Sequence, residues 1–404
     1  MSEWAKGYLS KLTAIEYGDN LPSTHLKAQG YPVFGANGYI GCIDRYNVDE
    51  DTVLISCRGE YSGTINYVKP KTFVTNNSII LRNKTSEITT TFLYYILHTV
   101  AKRRLVSGSA QPQVTIDDLN RVIFYYPKEV SEQQKIADIL STVDEVIEKT
   151  EAAIDKYQAI KDGMMQDLFT RGIDTQTGKM RPTFDEAPEL YKELELGWMP
   201  KDWDIIEFKD ACLEFINGGT PSTKNASNWV GNIPWITGAD FLESYEVGFI
   251  RRHINEDALR YSSSHLIREG NILLVTRTGV GKLAIAPFDV AISQDITGII
   301  LDSSQYCVEF FYYYLQVLVE NFKKMNQGTS INGIIRSDLE ATLILKPPLV
   351  EQKQIAAVLK ALDESLKKEQ SNQSKYHDLK IGLMADLLTY KVRVIINEDK
   401  LENS

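Results

Sequence analysis

The chain has 404 residues, of which 43% are hydrophobic and 24% charged, as in a soluble globular protein with room for two or three domains. Its formal charge of −10 at pH 7 argues against a protein that binds nucleic acid through overall charge. The first residues form no signal segment, and no stretch approaches the roughly 18 apolar residues of a membrane span, so we expect a cytoplasmic protein.

The cysteines and the distribution of charge narrow the possibilities further. Four widely separated cysteines form no CxxC pair, which favours reduced thiols over zinc or redox chemistry. Residues 1–130 carry 14 Lys and Arg against 12 Asp and Glu, residues 131–196 carry 8 against 15, and residues 197–347 carry 13 against 18. A DNA-binding face would therefore be a local patch, helped by a partner.

The elements along the chain predict two mixed α/β domains and two long helices. Short β-branched and aromatic runs separated by Gly, Asn, Asp and Pro indicate twisted sheets, and residues 91–105 and 308–325 indicate one aromatic-rich helix in each domain. The predicted organisation is a first recognition domain (1–130), a first spacer helix (131–170), a linker (171–197), a second recognition domain (198–347), a second spacer helix (348–390) and a tail (391–404).

An internal repeat is the strongest signal in the sequence. Residues 132–170 align without a gap on residues 351–389, and about sixteen of roughly forty positions are identical, including Asp144 and Asp363. The globular parts match more weakly: Trp4 corresponds to Trp203, and the run beginning at Phe92 was matched to the one beginning at Phe311, a shift of 219. The repeat indicates two diverged domains on two nearly unchanged helices.

Both helical segments carry apolar residues at alternating steps of three and four, which is the seam of a coiled coil. Since neither helix can bury its stripe alone, we expect an antiparallel pair with a domain at each end and an approximate two-fold axis. The seam is polar midway at Thr150, Lys161, Glu369, Gln373 and Lys380. These positions indicate either weak, solvent-exposed packing or polar contacts that fix the register.

Three places with similar chemistry recur in the two globular domains. Polar and basic residues follow the aromatic-rich helices, strand-to-loop sites carry arginine, and a third pair of sites combines Gly with Asn or Thr. Arg and Lys suit phosphates and guanine, and Gln and Asn suit adenine; the alternative is solvated helix ends and polar turns. The candidates are Lys102, Arg103, Arg104, Ser109, Gln111 and Gln113; Lys323, Lys324, Gln327, Thr329, Ser330 and Asn332; Arg58 and Tyr61; Arg277, Thr278 and Lys282; Asn37; and Thr237.

No catalytic motif in the sequence is complete. The stretch at 278–282 lacks the first glycine and the final hydroxyl residue of a phosphate loop, and Lys346-Pro347-Pro348-Leu349 lacks the Asn or Asp and the aromatic residue of an adenine methyltransferase motif. The five histidines show no metal-ligand spacing. We therefore expect a binding protein that is not an enzyme and holds no metal or cofactor itself.

The duplicated arrangement resembles the specificity subunits of Type I restriction–modification enzymes over essentially the whole chain. The motifs are Glu-Gln-x-x-Ile-Ala at the start of each helix, the Asp-Glu that follows, and phrases such as Gly-Gly-Thr-Pro-Ser at 218–222, which adds Thr220 and Ser222 to the candidates. The segment after Gly108 departs from the expected phrase, because Ala110 precedes Gln111.

The resemblance implies that each recognition domain reads one half of a bipartite, asymmetric site in double-stranded DNA. It also implies that the helices set the gap and dock two modification subunits, which bring S-adenosylmethionine, while restriction subunits add ATP- and Mg-dependent translocation and cleavage. One alternative is a two-headed coiled-coil scaffold without a DNA role. Another, a self-sufficient methyltransferase, needs a cofactor pocket that the sequence does not indicate.

Overall fold

In the computed structural model of the chain, the described residues are 3–100, 112–242, 246–325, 333–389 and 391–394. They form mixed helix and strand with two long helices, which confirms the predicted fold class. The chain divides into two compact units: unit 1 comprises Met1–Ala153 with Glu369–Ser404, and unit 2 comprises Ile154–Lys368. Among the described residues, no helix is both long and apolar enough to cross a membrane.

Unit 1 is built around an antiparallel sheet in the order β2-β8-β5-β6. A smaller sheet, β4-β3-β7, contains one parallel pair, and β1 pairs with β9. Its strands are β1 (Trp4–Tyr8), β2 (Thr13–Tyr17), β3 (Tyr31–Gly35), β4 (Gly38–Ile43), β5 (Thr52–Ser56), β6 (Ile65–Val68), β7 (Phe73–Val74), β8 (Ser78–Asn83) and β9 (Ile123–Pro127), and its short helices are α1 (Leu9–Leu12), α2 (Thr90–His98) and α3 (Ile116–Asn120).

Helix α2 begins at a cap formed by Thr89, whose hydroxyl accepts a hydrogen bond from the Phe92 amide. It ends at His98, earlier than the sequence predicted, and the basic residues after it lie outside the described residues. Strand β5 is buried along its whole length because α2 covers one of its faces and the smaller sheet the other. This double burial explains its continuous apolar sequence.

The first long helix, α4 (Val130–Leu168), is fixed at its start by a buried glutamine. The side-chain oxygen of Gln133 accepts a hydrogen bond from the Thr89 amide at 2.9 Å, and its side-chain nitrogen donates to the carbonyls of Pro127 and Glu87. Both donors of the side-chain nitrogen and one acceptor site of the oxygen are paired with backbone, so burial of this polar group is compensated. The Gln133 side chain thereby joins helix α4 to strand β9 and to the start of helix α2.

Unit 2 repeats the strand order of unit 1. Its main sheet has the order β15-β22-β19-β20, which corresponds strand by strand to β2-β8-β5-β6. The second sheet, β17-β16-β21-β18, again contains one parallel pair, and β14 pairs with β23 as β1 pairs with β9. Its strands are β10 (Ile173–Asp174), β11 (Lys179–Met180), β12 (Tyr191–Leu194), β13 (Gly197–Pro200), β14 (Asp204–Glu207), β15 (Cys212–Asn217), β16 (Ile233–Ile236), β17 (Arg252–Ile254), β18 (His265–Ile267), β19 (Ile272–Val275), β20 (Leu283–Ile285), β21 (Val290–Ile292), β22 (Ile296–Leu301) and β23 (Leu343–Lys346), with helices α5 (Glu256–Tyr261), α6 (Val308–Met325) and α7 (Arg336–Glu340).

The second long helix, α8 (Leu349–Leu387), begins in the same way as the first. Gln352 is fully buried, accepts a hydrogen bond from the Cys307 amide at 2.9 Å and donates to the Pro347 carbonyl at 2.8 Å. The two glutamines are 219 residues apart, as the repeat predicts. Equivalent residues therefore perform the same structural task in the two units.

The two long helices run antiparallel. In unit 1, Asp144 forms an ion pair with Lys380 and Glu151 accepts a hydrogen bond from Gln373, so residue numbers rise along α4 while they fall along α8. The end of each helix enters a hydrophobic core: Leu387 joins that of unit 1, and Leu168 that of unit 2. Three of the five polar seam positions, Lys161, Gln373 and Lys380, thus make contacts between the helices, which supports the register-fixing interpretation for them. The hydrogen bonds of Thr150 and Glu369 stay within their own helix.

The segment 171–197, predicted as a linker, is folded as part of unit 2. It contains the hairpin β10–β11 and strand β12, and it is held by Glu351, which is fully buried at the start of α8. This carboxylate accepts hydrogen bonds from the Ile173 amide at 2.8 Å and the Trp203 indole at 2.9 Å, and it pairs with the Arg181 guanidinium. Turn-forming residues indicated the loops here but not this long-range anchor.

We predict that Glu351→Ala destabilises the protein by about 3 kcal/mol, because the mostly buried Arg181 guanidinium would lose its carboxylate partner. Urea unfolding followed by tryptophan fluorescence measures the effect. Glu364→Ala, which removes an exposed glutamate from the same helix, is the control and should change stability by less than about 0.5 kcal/mol. Equal effects of the two substitutions would contradict the anchoring role of Glu351.

Candidate nucleic-acid interface

Part of the predicted site lies outside the described residues. The structure places Lys323 and Lys324 on the last turn of α6, and of these two only the backbone is described. The candidates outside the described residues are Lys102, Arg103, Arg104, Ser109, Gln111, Gln327, Thr329, Ser330 and Asn332.

In unit 1, the chain that returns from the segment after α2 pairs with the end of β5. The Val114 amide donates to the Cys57 carbonyl at 3.0 Å, and Arg58 and Gln113 form an antiparallel bridge. The Gly59 amide, at 3.1 Å, and the Ser62 hydroxyl, at 2.7 Å, both donate to the Pro112 carbonyl. Two sites that are 55 residues apart in the sequence, at Arg58 and Gln113, therefore lie side by side, and both side chains are exposed.

The hairpin between β3 and β4 joins the same place. The Ser56 hydroxyl at the end of β5 donates to the Ala36 carbonyl at 2.6 Å, and the Ser78 hydroxyl donates to the Gly35 carbonyl at 3.1 Å. These two buried serines hold the tip of the hairpin, which carries exposed Asn37. All three kinds of predicted site thus meet at one end of the unit 1 sheet.

Aromatic side chains add to this surface. Tyr61, a predicted candidate, is 42% exposed, and Tyr39, which follows Asn37 on β4, is 59% exposed. The Tyr39 hydroxyl lies 3.2 Å from the Cys42 sulfur. Tyr39 was not among the sequence candidates, because nothing in a single sequence shows that a strand tyrosine faces solvent. Exposed tyrosines beside arginine and amide groups can contact both bases and phosphates.

Unit 2 has the corresponding junction. The Ile334 amide donates to the Thr276 carbonyl at 2.8 Å, which brings the chain after α6 to the end of β19, next to exposed Arg277 and Thr278. Gly333 adopts a φ of +91°, and a Cβ there would lie 2.4 Å from the Thr276 carbonyl oxygen. Only glycine allows this close approach without strain.

A cleft of about 240 Å³ opens at this junction in unit 2. Its lining includes Arg277, Gln294 and Arg336, side chains that can donate several hydrogen bonds. The Thr220 hydroxyl donates to the Gln294 side-chain oxygen. Gln294 and Arg336 were not among the sequence candidates, because they follow β21 and open α7, whose position at this junction only the tertiary structure shows.

Thr237 and Lys282 have structural partners. The Thr237 amide and hydroxyl both donate to the Asp240 carboxylate, at 2.8 Å and 2.9 Å, and Lys282 donates to the Phe241 carbonyl at 3.2 Å. Burial by itself would raise the pKa of Asp240, but hydrogen bonds from Arg251 and Thr237 outweigh it and hold the pKa below its usual value. The loop therefore keeps a fixed negative charge that orients Arg251.

Ser222 is exposed, and its carbonyl accepts hydrogen bonds from Asn228 and Trp229, at 3.2 Å and 3.3 Å. A Cβ on Gly238 would lie 2.6 Å from the Thr278 carbonyl oxygen, so this loop packs directly against the end of β19. The third predicted site thus joins the second in unit 2 as well. Within the described residues, no cluster of three or more His, Cys, Asp or Glu could hold a metal ion.

Comparison with known proteins identifies the class. A family model described as the Type I restriction modification DNA specificity domain matches residues 1–156 and 200–375. The chain belongs to this family. This membership confirms the resemblance inferred from the repeat, and with it the assignment to non-catalytic specificity subunits; it does not favour the scaffold alternative.

Individual relatives agree with this membership. The chain is 31% identical to the type I restriction enzyme MjaIX specificity subunit of Methanocaldococcus jannaschii, over 52% of this chain and 50% of that protein. It is 26% identical to the MjaVIII specificity subunit of the same organism, over 86% and 80%. The fold matches the crystal structure of a Type I restriction–modification S subunit from M. genitalium with a TM-score of 0.68, 16% identity and 96% coverage of both chains.

We predict that Gly333→Ala loosens the junction in unit 2, because the added Cβ collides with the Thr276 carbonyl at a strained φ. Amide hydrogen exchange at Ile334 should become at least about tenfold faster, a change of about 1.4 kcal/mol in opening free energy.

Gly279→Ala is the matched control, since Gly279 also has a positive φ, +82°, but nothing lies within 4 Å of its added Cβ. An unchanged exchange rate at Ile334 in Gly333→Ala would show that the junction does not depend on this close approach.

Proposed function

We propose that this chain gives a Type I restriction–modification system its DNA sequence specificity, with each recognition domain reading one half of a bipartite, asymmetric site. The observation that carries the proposal is the convergence, in both units, of separately predicted polar sites on one end of a sheet. In unit 1 these are Asn37, Arg58 and Gln113; in unit 2 they are Arg277, exposed Thr278 and the loop that begins at Thr237.

The chemistry of these ends suits direct reading of base edges. Arginine can donate two hydrogen bonds to guanine, glutamine and asparagine can pair with adenine, and threonine can contact either. The two units carry different side chains at corresponding places: Phe34 and Ile236 are equivalent in their parallel pairs, so Asn37 of unit 1 corresponds to Ala239 of unit 2. Two recognition domains that share a framework must carry different side chains at the sheet ends in order to read two different half-sites.

The long helices would set the distance between the half-sites and dock two modification subunits. The antiparallel contacts between α4 and α8 support a spacer made of paired helices. The acidic charge of the chain supports DNA binding that is shared with the modification subunits. Residues 131–196 carry 8 Lys and Arg against 15 Asp and Glu, so the modification subunits would supply the positive charge that faces the phosphates there.

Catalysis and cofactors would belong to the partners. The modification subunits would hold S-adenosylmethionine, and restriction or translocase subunits would use ATP and Mg; the incomplete motifs of this sequence support that division. We also propose a cytoplasmic location, where the DNA substrate lies and where the four free thiols, two of them buried, would stay reduced.

We predict that Arg58→Ala and Arg277→Ala each weaken binding of a specific duplex by the complex with modification subunits. If the guanidinium contacts a base, the loss should be about 5- to 150-fold and selectivity should relax at one position of one half-site. If the guanidinium contacts a phosphate, the slope of the logarithm of the binding constant against the logarithm of salt concentration should instead become shallower by about 1.

Fluorescence anisotropy with a panel of duplexes over a range of salt concentrations separates the two cases. Arg268→Ala is the control, because Arg268 is an exposed arginine of unit 2 that pairs with Asp289 at the opposite end of β19. Loss of binding equal to that of Arg268→Ala would remove Arg58 or Arg277 from the interface.

We further predict that exchanging residues 1–130 for the corresponding domain of another family member changes one half-site and leaves the other half-site and the gap unchanged. Mapping of methylated adenines in a host that also produces the modification subunits provides the measurement. A change in both half-sites would contradict the assignment of one domain to one half-site.

A further inference from the structure

One aspartate on each long helix is bound from two directions. In unit 1, one carboxylate oxygen of Asp144 on α4 accepts a hydrogen bond from the Tyr95 hydroxyl of α2 at 2.7 Å. The other oxygen forms an ion pair with Lys380 of α8 at 2.6 Å. A single side chain therefore joins the recognition domain, the first long helix and the second long helix.

The same cluster recurs in unit 2. Asp363 on α8 accepts a hydrogen bond from the Tyr313 hydroxyl of α6 at 2.8 Å and forms an ion pair with Lys161 of α4 at 2.6 Å. The Lys161 ammonium also lies 5.6 Å from the centre of the Tyr313 ring. Both the aspartates and the lysines are 219 residues apart, so each helix supplies the aspartate to one cluster and the lysine to the other.

The clusters also correct the alignment of the aromatic helices. Matching Phe92 with Phe311 by a shift of 219 would place Tyr94 opposite Tyr313. The hydrogen bonds instead make Tyr95 the counterpart of Tyr313, a shift of 218. Both sequences contain consecutive tyrosines, and only the partner carboxylate distinguishes the equivalent one.

These contacts are partly withdrawn from water. The side chains of Asp144 and Lys380 are 24% and 26% exposed, and those of Asp363 and Lys161 are 21% and 11% exposed. Such pairs are screened less than surface pairs, and separating them leaves two half-buried charges. Burial, with a contribution from the neighbouring aspartate, raises the pKa of Tyr95 and of Tyr313, so both hydroxyls stay protonated and donate.

The clusters oppose sliding of one helix along the other. A slip of one heptad moves a residue about 10 Å along the helix axis, which would separate each aspartate from its lysine. The hydrophobic seam opposes such a slip less, because apolar residues recur at heptad spacing. Charge pairing at the two clusters therefore distinguishes the native register from its nearest alternatives.

We propose that Asp144 and Asp363 are positioning residues that fix the register of the two long helices and tie each recognition domain to that register. If the chain reads a split DNA site, as proposed above, the two aspartates then determine the length of the gap between the half-sites. The side chains at the sheet ends, and not these aspartates, would determine which bases are read.

The register is tested by cross-linking. Glu151→Cys with Gln373→Cys reports the native register, since the Gln373 side-chain nitrogen donates to the Glu151 carboxylate at 3.1 Å and the two positions therefore face each other. Gln158→Cys with Gln373→Cys reports a slip of one heptad. Introducing Asp144→Asn with Asp363→Asn should lower the yield of the native cross-link several-fold and raise that of the displaced one. Copper phenanthroline oxidation followed by peptide mass spectrometry gives both yields.

The matched control is Glu145→Gln with Glu364→Gln. These residues are adjacent to the two aspartates, and their substitution changes the charge by the same amount. Glu145 pairs within α4, with Lys149 at 3.4 Å, and Glu364 is exposed. The control should leave the cross-linking pattern unchanged. An unaltered pattern in the aspartate variant, with at most a lower melting temperature, would overturn the proposal.

If Asp144→Asn with Asp363→Asn does not fold, the proposal can still be tested by exchanging the charges of one ion pair. Lys161→Asp with Asp363→Lys restores an ion pair of opposite orientation and should recover the native cross-link, whereas Asp363→Lys alone should not. Loss of the native cross-link in the exchanged protein would count against the proposal.

The consequence for DNA is measured by mapping methylated adenines in the presence of the modification subunits. The aspartate variant should accept sites with an additional gap length while its half-site sequences stay the same. A single unchanged gap despite a displaced cross-link would overturn the link to spacing. If the unaltered complex selected no split site, the proposed function would fail, and the cross-linking result would still report on the register.

Discussion

The pairing of two long helices is the constraint on which this structure depends. Each helix of 39 residues has a narrow apolar stripe and a polar remainder, so it gains little stability until another helix covers the stripe. The second copy of the repeat supplies that helix. Because the pair is antiparallel, the end of each helix enters the core of the other half's recognition domain: Leu387 packs in unit 1 and Leu168 in unit 2. Neither half of the sequence is structurally complete by itself.

This constraint explains which residues the two copies share. Gln133 and Gln352 satisfy the backbone where each long helix leaves its domain, and Asp144 and Asp363 connect each domain to both helices. A change at any of these would leave a buried polar group without its partner, at a cost of one to several kcal/mol. The sheet ends carry no such restriction, since exposed Asn37 and Arg277 have solvent as an alternative partner. Substitutions are therefore expected to cost least on the surfaces that would read DNA.

The acidic charge of the chain is compatible with this arrangement. Positive charge at the described interface is local, at Arg58 in unit 1 and at Arg277 and Arg336 in unit 2. Of the two long helices, α4 is acidic, with 4 Lys against 9 Asp and Glu, whereas α8 carries 6 of each. Hydrogen bonds to base edges determine selectivity, whereas phosphate contacts raise affinity by releasing counterions. A chain that contacts the bases can therefore rely on its partners for most of the phosphate contacts. A polar, acidic helix pair also presents a surface suited to docking proteins.

The sequence by itself determined the fold class, the duplication, the antiparallel helices and the three kinds of candidate site, because periodicity and repetition are local properties that one chain displays. It indicated that Lys161 and Lys380 could fix the register but not their partners. The tertiary structure decided that Arg58 meets Gln113, that Gln294 and Arg336 line the cleft in unit 2, and that the predicted linker is anchored by Glu351. These contacts join residues far apart in the chain, and no local pattern encodes which distant carbonyl or carboxylate a donor will reach.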